Sequence, residues 1–149
     1  VENQQLINFL NQLLSNQFVM YVKLHRYHWF VQGKHFFQLH ALYEEMYTKF
    51  ANDLDQVAER ILMIDGKPLA TMSKYLKETT LVEANADDKE EELMDQLAND
   101  FKQLITEIRD QGYVFAEERH DEPTKDMLVK LVGDYEKYRW MLSAYRAYK

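Results

Sequence analysis

Two pairs of residues able to hold a metal stand in the middle of the sequence, each at a spacing of four: His40 with Glu44, and Asp55 with Glu59. Residues four apart on an α-helix sit one turn above each other, so each pair shares a helix face. At about 100° per residue, all four side chains fall within a sector of roughly 100°. Imidazole and carboxylate together suit iron, manganese or zinc, and spacing alone does not choose among them. The sequence has no cysteine, which removes thiolate sites, disulfides and thiol nucleophiles. The plainer alternative is that such pairs merely keep an exposed helix face in water.

The helix that must carry these residues is legible around them. Leu39, Tyr43, Met46, Phe50, Leu54, Val57, Ile61 and Ile64 recur at threes and fours, predicting an amphipathic helix from about Phe36 to Ile64. Asp65-Gly66-Lys67-Pro68 stops it, with Gly66 suited to a left-handed cap and the proline following. On the same helical wheel the apolar stripe and the ligand face point about 140° apart. The ligand face is therefore not the one that packs into the subunit's own core.

Length then sets a limit. From Glu44 to Asp55 the axis of a straight helix runs roughly 16 Å, whereas metal–ligand bonds are about 2 Å. One helix cannot bring both pairs to one metal cluster. If the pairs do share a site, the second pair comes from another copy of the chain. An antiparallel two-fold pairing of this helix would set His40 and Glu44 opposite the partner's acidic pair, making two equivalent intersubunit sites per dimer.

Three more helices are expected. The first carries Leu6, Leu10, Leu13, Met20, Leu24 and Tyr27, with Gln17 filling a gap in the stripe, and ends near Gly33. A crossover from Leu69 to Asp88 follows the second helix, with a short helix over Thr71 to Lys77. The third begins near Lys89 and carries Met94, Leu97, Phe101, Leu104, Ile108 and Phe115. The fourth is opened by Asp121 with Pro123 in its first turn, and buries Leu128, Leu131, Tyr135, Tyr138, Leu142 and Tyr145. Only four glycines and two prolines punctuate the 149 residues, which favours few long helices over many strands. The expected fold class is all-α: a ferritin-like four-helix bundle with a short helix in the crossover between helices two and three, forming one domain over residues 1–149.

The longest apolar run, Phe18 to Val22, is too short to cross a bilayer, and the first residues lack the basic and apolar regions of a signal peptide. A soluble cytoplasmic protein is expected. A net charge of −7 suits a protein that attracts cations and argues against a surface built to neutralise DNA phosphates.

From Leu24 to Leu62 the sequence resembles the signature region of the Dps family of mini-ferritins, and the wider likeness covers nearly the whole chain. The stretch reads His25-Arg-Tyr-His-Trp-Phe-Val-Gln-Gly-Lys-His-Phe-Phe-Gln-Leu-His40, then Asp55-Gln-Val-Ala-Glu-Arg-Ile-Leu62. The family pairs a His-Trp at the end of helix one with a histidine, an acid four on, an aspartate fifteen on and a glutamate nineteen on. Here that pattern falls on His28, His40, Glu44, Asp55 and Glu59 with every interval kept. Glu44 stands where aspartate is frequent, and Asp65-Gly66 replaces a common Gly-Gly. The resemblance implies a homododecameric shell around an iron-storage cavity, with a ferroxidase centre holding two irons at each two-fold interface. His28, His40 and Glu44 would come from one subunit, Asp55 and Glu59 from the other, with Glu59 bridging the irons. It further implies oxidation of Fe(II), commonly by hydrogen peroxide in preference to dioxygen, and storage of ferric oxyhydroxide.

Several residues have two readings. Asp121 and Asp126 resemble the acidic lining of the family's three-fold iron-entry pores, yet both also suit the positive end of a helix. Trp29, beside His28, could give an electron to a stray oxidant or simply pack in the interface. Glu117 and His120 form a single Glu-x-x-His with no matching copy on helix two, so they are read as a decoy, and His25 and His35 as a helix-surface and a loop histidine. The rival function is DNA binding that protects the nucleoid, as in some Dps relatives. Residues 1–22 contain no lysine or arginine, and the C-terminal end offers only Arg139, Arg146 and Lys149, which argues against direct DNA binding.

Overall fold

The computed structural model describes residues 3–84 and 88–147, so Lys149 and part of the expected crossover lie outside the described residues. Among them the chain is helical: α1 (Gln4–Phe30), α2 (Phe36–Met63), the short α3 (Met72–Glu78), α4 (Glu90–Glu107), a π-helical turn (Ile108–Gly112), α5 (Tyr113–Glu118) and α6 (Glu122–Tyr145). An isolated parallel bridge joins Gln32 to Lys89, tying the α1–α2 turn to the start of α4. No helix among the described residues is long and apolar enough to cross a membrane.

α1 packs along α2 and α4 along α6, while the crossover helix α3 lies against α1. This is the four-helix bundle of two hairpins joined by one crossover. The apolar stripes expected of α1 and α6 are buried, apart from Tyr145, which is half-buried. Gln17 is fully buried within the α1 stripe because its amide donates to the Tyr135 hydroxyl at 3.1 Å. Phe50 of α2 stacks on Tyr135 of α6 at 5.2 Å and on Phe101 of α4 at 6.0 Å between centroids, so aromatic packing joins the two hairpins. Burying one such ring stabilises the fold by about 1.5–3 kcal/mol.

Three expectations need correction. In α2 the buried position after Phe50 is Asp53, not Leu54, which is only half-buried. A carboxylate is tolerated there because Lys49 donates to it at 2.9 Å and the Tyr135 hydroxyl at 3.1 Å. The third helix does not run uniformly to Phe115. The π-helical turn inserts a residue into the helical count, so the stripe passes from Ile108 through Gly112 to Ala116, leaving Phe115 half-buried. A Cβ on Gly112 would meet the Phe9 ring at 2.7 Å, so this turn approaches α1 closely.

The third concerns the end of α2. The left-handed residue is Asp65, at φ 68°, not Gly66. The Gly66 amide donates to Ile61 O at 2.8 Å, closing a Schellman-type end. Glycine is needed at 66 for space: a Cβ would lie 2.9 Å from Ile61 and 3.0 Å from Ile7.

Candidate metal centre

The antiparallel α1–α2 hairpin brings the C-terminal end of α1 beside the N-terminal end of α2, which sets His28 against His40. Their rings stack at 3.7 Å between centroids with 12° between planes. Each ring is held by the other residue's backbone: His28 Nδ1 donates to His40 O at 2.6 Å, and His40 Nδ1 donates to His28 O at 2.7 Å. A carbonyl only accepts, so both protons sit on Nδ1 and both Nε2 lone pairs stay available. A backbone carbonyl on the far nitrogen is the usual device for orienting a metal-binding imidazole.

Surrounding groups hold this pair in place. Phe36 stacks on the outer face of His40 at 5.0 Å. Tyr47 meets His28 edge-on at 5.4 Å and lies flat against His25 at 3.7 Å. His25 in turn donates Nδ1 to Tyr21 O at 2.7 Å. Glu44, one turn after His40, places Oε1 3.7 Å from His28 Nε2 while its side chain remains exposed. Glu44 thus stands beside His28, and with His40 stacked on His28 the neighbourhood offers imidazole and carboxylate donors of the kinds that suit iron, manganese or zinc.

Asp55 and Glu59 are exposed on α2 and make no hydrogen bond or ion pair among the described residues. No cluster of three or more histidine and acidic residues that could hold a metal ion forms among the described residues of a single chain. The structure thus brings together His28, His40 and Glu44, and leaves Asp55 and Glu59 further along the same helix. Around the histidine end lie exposed Trp29, Phe30 and Phe37, the last 82% exposed, an apolar rim.

The remaining candidates fall as follows. Trp29 is exposed and touches His25 edge-on at 5.5 Å; the rings that meet His28 are those of His40 and Tyr47. Asp121 caps α6, accepting from Thr124 N at 3.0 Å, Thr124 Oγ1 at 2.6 Å and Arg60 Nη2 at 2.9 Å. Burial pushes the Asp121 carboxyl up, but Thr124 and Arg60 outweigh it and hold the group below the usual carboxylate range. Asp126, in the first turns of α6, is exposed. Glu117 pairs with Lys125 at 2.5 Å, and His120 sits in the left-handed backbone region at φ 54°. His35 pairs with Glu90 at 2.9 Å.

Sequence reasoning passed over two residues of this neighbourhood. Tyr47 continues the His40–Glu44 face at the next helical interval, a signal that was present but shared with many core tyrosines. His25, read as a surface histidine, is half-buried, one turn before His28.

Residues 7–147 match the family model described as a ferritin-like domain. The chain is 42% identical over 143 residues to general stress protein 20U of Bacillus subtilis, covering 96% of this chain and 98% of that protein. It is 41% identical to the DNA protection during starvation protein of Brevibacillus brevis, covering 95% of each. Among solved structures, the DPS protein from Vibrio cholerae O1, described as a member of a broad superfamily of ferritin-like diiron-carboxylate proteins, superposes with a TM-score of 0.91 at 38% identity, covering 97% of this chain and 90% of that one.

Proposed function

The chain belongs to the Dps family of ferritin-like proteins, and on that premise we propose that it oxidises ferrous iron at centres shared between two subunits and stores the ferric product. Iron is here both substrate and cargo. Iron storage and protection against oxidative stress go with the family in general; the finer reading concerns which residues do the work.

The observation that carries it is the pair of reciprocal Nδ1–carbonyl hydrogen bonds at His28 and His40. These bonds engage Nδ1 of each ring and leave each Nε2 free, that of His28 lying 3.7 Å from Glu44 Oε1. A solvated helix face has no need of that arrangement. In the proposed centre, His28, His40 and Glu44 of one subunit bind iron together with Asp55 and Glu59 of another. Glu59, a carboxylate without a partner among the described residues, would bridge two irons held close enough to give up one electron each. Hydrogen peroxide takes both electrons at once, so no hydroxyl radical is released. Dioxygen is the slower oxidant in this reading.

The assembly proposed is a dodecamer built from single domains spanning residues 1–149. Asp126, exposed, and Asp121, already committed to Arg60, would line the iron-entry path at its three-fold axes. The relatives' names speak of DNA protection. The net charge of −7 weighs against direct DNA binding, and consumption of iron and peroxide offers protection without contact.

The test is an anaerobic ferrous titration of the oligomer followed by peroxide or air. Saturable binding at two irons per subunit, with two irons consumed per peroxide, supports the reading. Absence of saturable binding would reduce the acidic and imidazole pairs to surface charge.

A further inference from the structure

A pair of ferrous ions supplies the two electrons that peroxide requires, but a centre holding a single ferrous ion supplies only one. The second electron must come from the protein, or hydroxyl radical escapes. The rings around His28 differ in their fitness for this task. Trp29 is its neighbour in sequence, yet in the single chain its side chain is exposed, and among the described residues the ring it meets is that of His25, not His28. Tyr47 is the oxidisable ring in direct contact with His28, edge-on at 5.4 Å.

Tyr47 also has somewhere to pass a hole. Tyr21 lies 6.1 Å away edge-on, His25 stacks on its face at 3.7 Å, and Trp29 follows His25 at 5.5 Å. Tyr47 is half-buried between α1 and α2, with one ring towards the candidate iron ligands and another leading away from them. A merely structural tyrosine would be satisfied by any one of these contacts.

We propose that Tyr47 is the one-electron donor that completes the reduction of peroxide at a centre holding a single ferrous ion. This rests on the ferroxidase reading above. The step balances: one ferrous ion and one phenol each lose an electron, and the peroxide O–O bond breaks. The phenolic proton goes to one of the two oxygens. The products are a ferric ion, a neutral tyrosyl radical, one water and one hydroxide.

The test uses the assembled oligomer loaded with one ferrous ion or fewer per centre, mixed with peroxide and freeze-quenched for electron paramagnetic resonance. The wild type shows a tyrosyl radical, confirmed by the changed hyperfine pattern when ring-deuterated tyrosine is incorporated. Tyr47→Phe keeps the ring packing, loses the early radical, and raises spin-trapped hydroxyl radical several-fold. Trp29→Phe retains the tyrosyl signal. An early radical that survives in Tyr47→Phe, or unchanged hydroxyl release, overturns the proposal. If ferrous oxidation proceeds in the wild type with no tyrosyl signal, the proposal alone fails. If the wild type neither binds nor oxidises ferrous iron saturably, the ferroxidase reading fails and takes this proposal with it.

Discussion

Asp53 and Asp55 are two residues apart on α2 and have opposite surroundings. Asp53 is buried and bound by two core groups, Lys49 at 2.9 Å and the Tyr135 hydroxyl at 3.1 Å, and Tyr135 in turn accepts from Gln17. Lys49 is shared with Asp134 at 2.8 Å, so two carboxylates grip one ammonium and keep it charged against its burial. Asp55, with Glu59 one turn on, faces outward and makes no such bond among the described residues. At the other end of the same outer face, His28 and His40 are locked in orientation with their free nitrogens presented. Acids whose needs are met within the chain hold the fold. Asp55 and Glu59, without partners among the described residues, are the acids proposed to bind metal with a second subunit.

The contrast can be broken most heavily from the inside. Asp53→Ala leaves the Tyr135 hydroxyl without its acceptor in a fully buried site and removes one of the two acids on Lys49. We expect a loss of about 2–3 kcal/mol in stability, read as a lower urea midpoint at fixed subunit concentration. Ferrous binding per folded subunit stays unchanged.

The outer face gives the reciprocal result. His28→Gly or Glu59→Ala lowers the rate of ferrous oxidation by about 10- to 100-fold. For the exposed Glu59 the stability change stays within about 0.5 kcal/mol, which thermal unfolding at constant concentration will show. A large destabilisation by Glu59→Ala would erase the distinction between the two faces.

Asp121 sharpens the comparison at a smaller scale, because it combines a structural and a proposed iron-path role. Asp121→Ala removes the α6 cap and costs about 1 kcal/mol near neutral pH. The folded-state carboxyl is held below its ordinary value, so its contribution is present above the unfolded pKa and is lost as pH falls through the folded one. The stability difference between variant and wild type should therefore shrink below about pH 4. A difference that persists undiminished at low pH would mean that the ionised cap is not its source.

Much of this was legible in the residues themselves. The stripes of the long helices and the buried place of Gln17 follow from apolar spacing, because burial of one face dominates what each helix must do. The two pairs on α2 and the helix rise that keeps them from one metal follow from spacing, whereas the full ligand set and its division between subunits are what the family resemblance implies and stand as a proposal. What was not legible depends on tertiary partners. Leu54 looked like the core position, and only the meeting of Lys49 and Tyr135 with Asp53 makes the carboxylate acceptable there. The π-helical turn that moves burial from Phe115 to Ala116 has no local signal beyond Gly112. The reciprocal bonds of His28 and His40 join residues twelve apart through backbone carbonyls, which no side-chain pattern encodes.

The central claim, a centre divided between two chains, is tested most directly by co-expressing two inactive variants, His28→Gly and Glu59→Ala, in one oligomer. In random mixing half of the two-fold pairs are mixed, and each of those holds one intact site of two, so about a quarter of wild-type ferroxidase activity should return. Activity no higher than that of either parent would mean that the residues act within one chain, contradicting the shared centre.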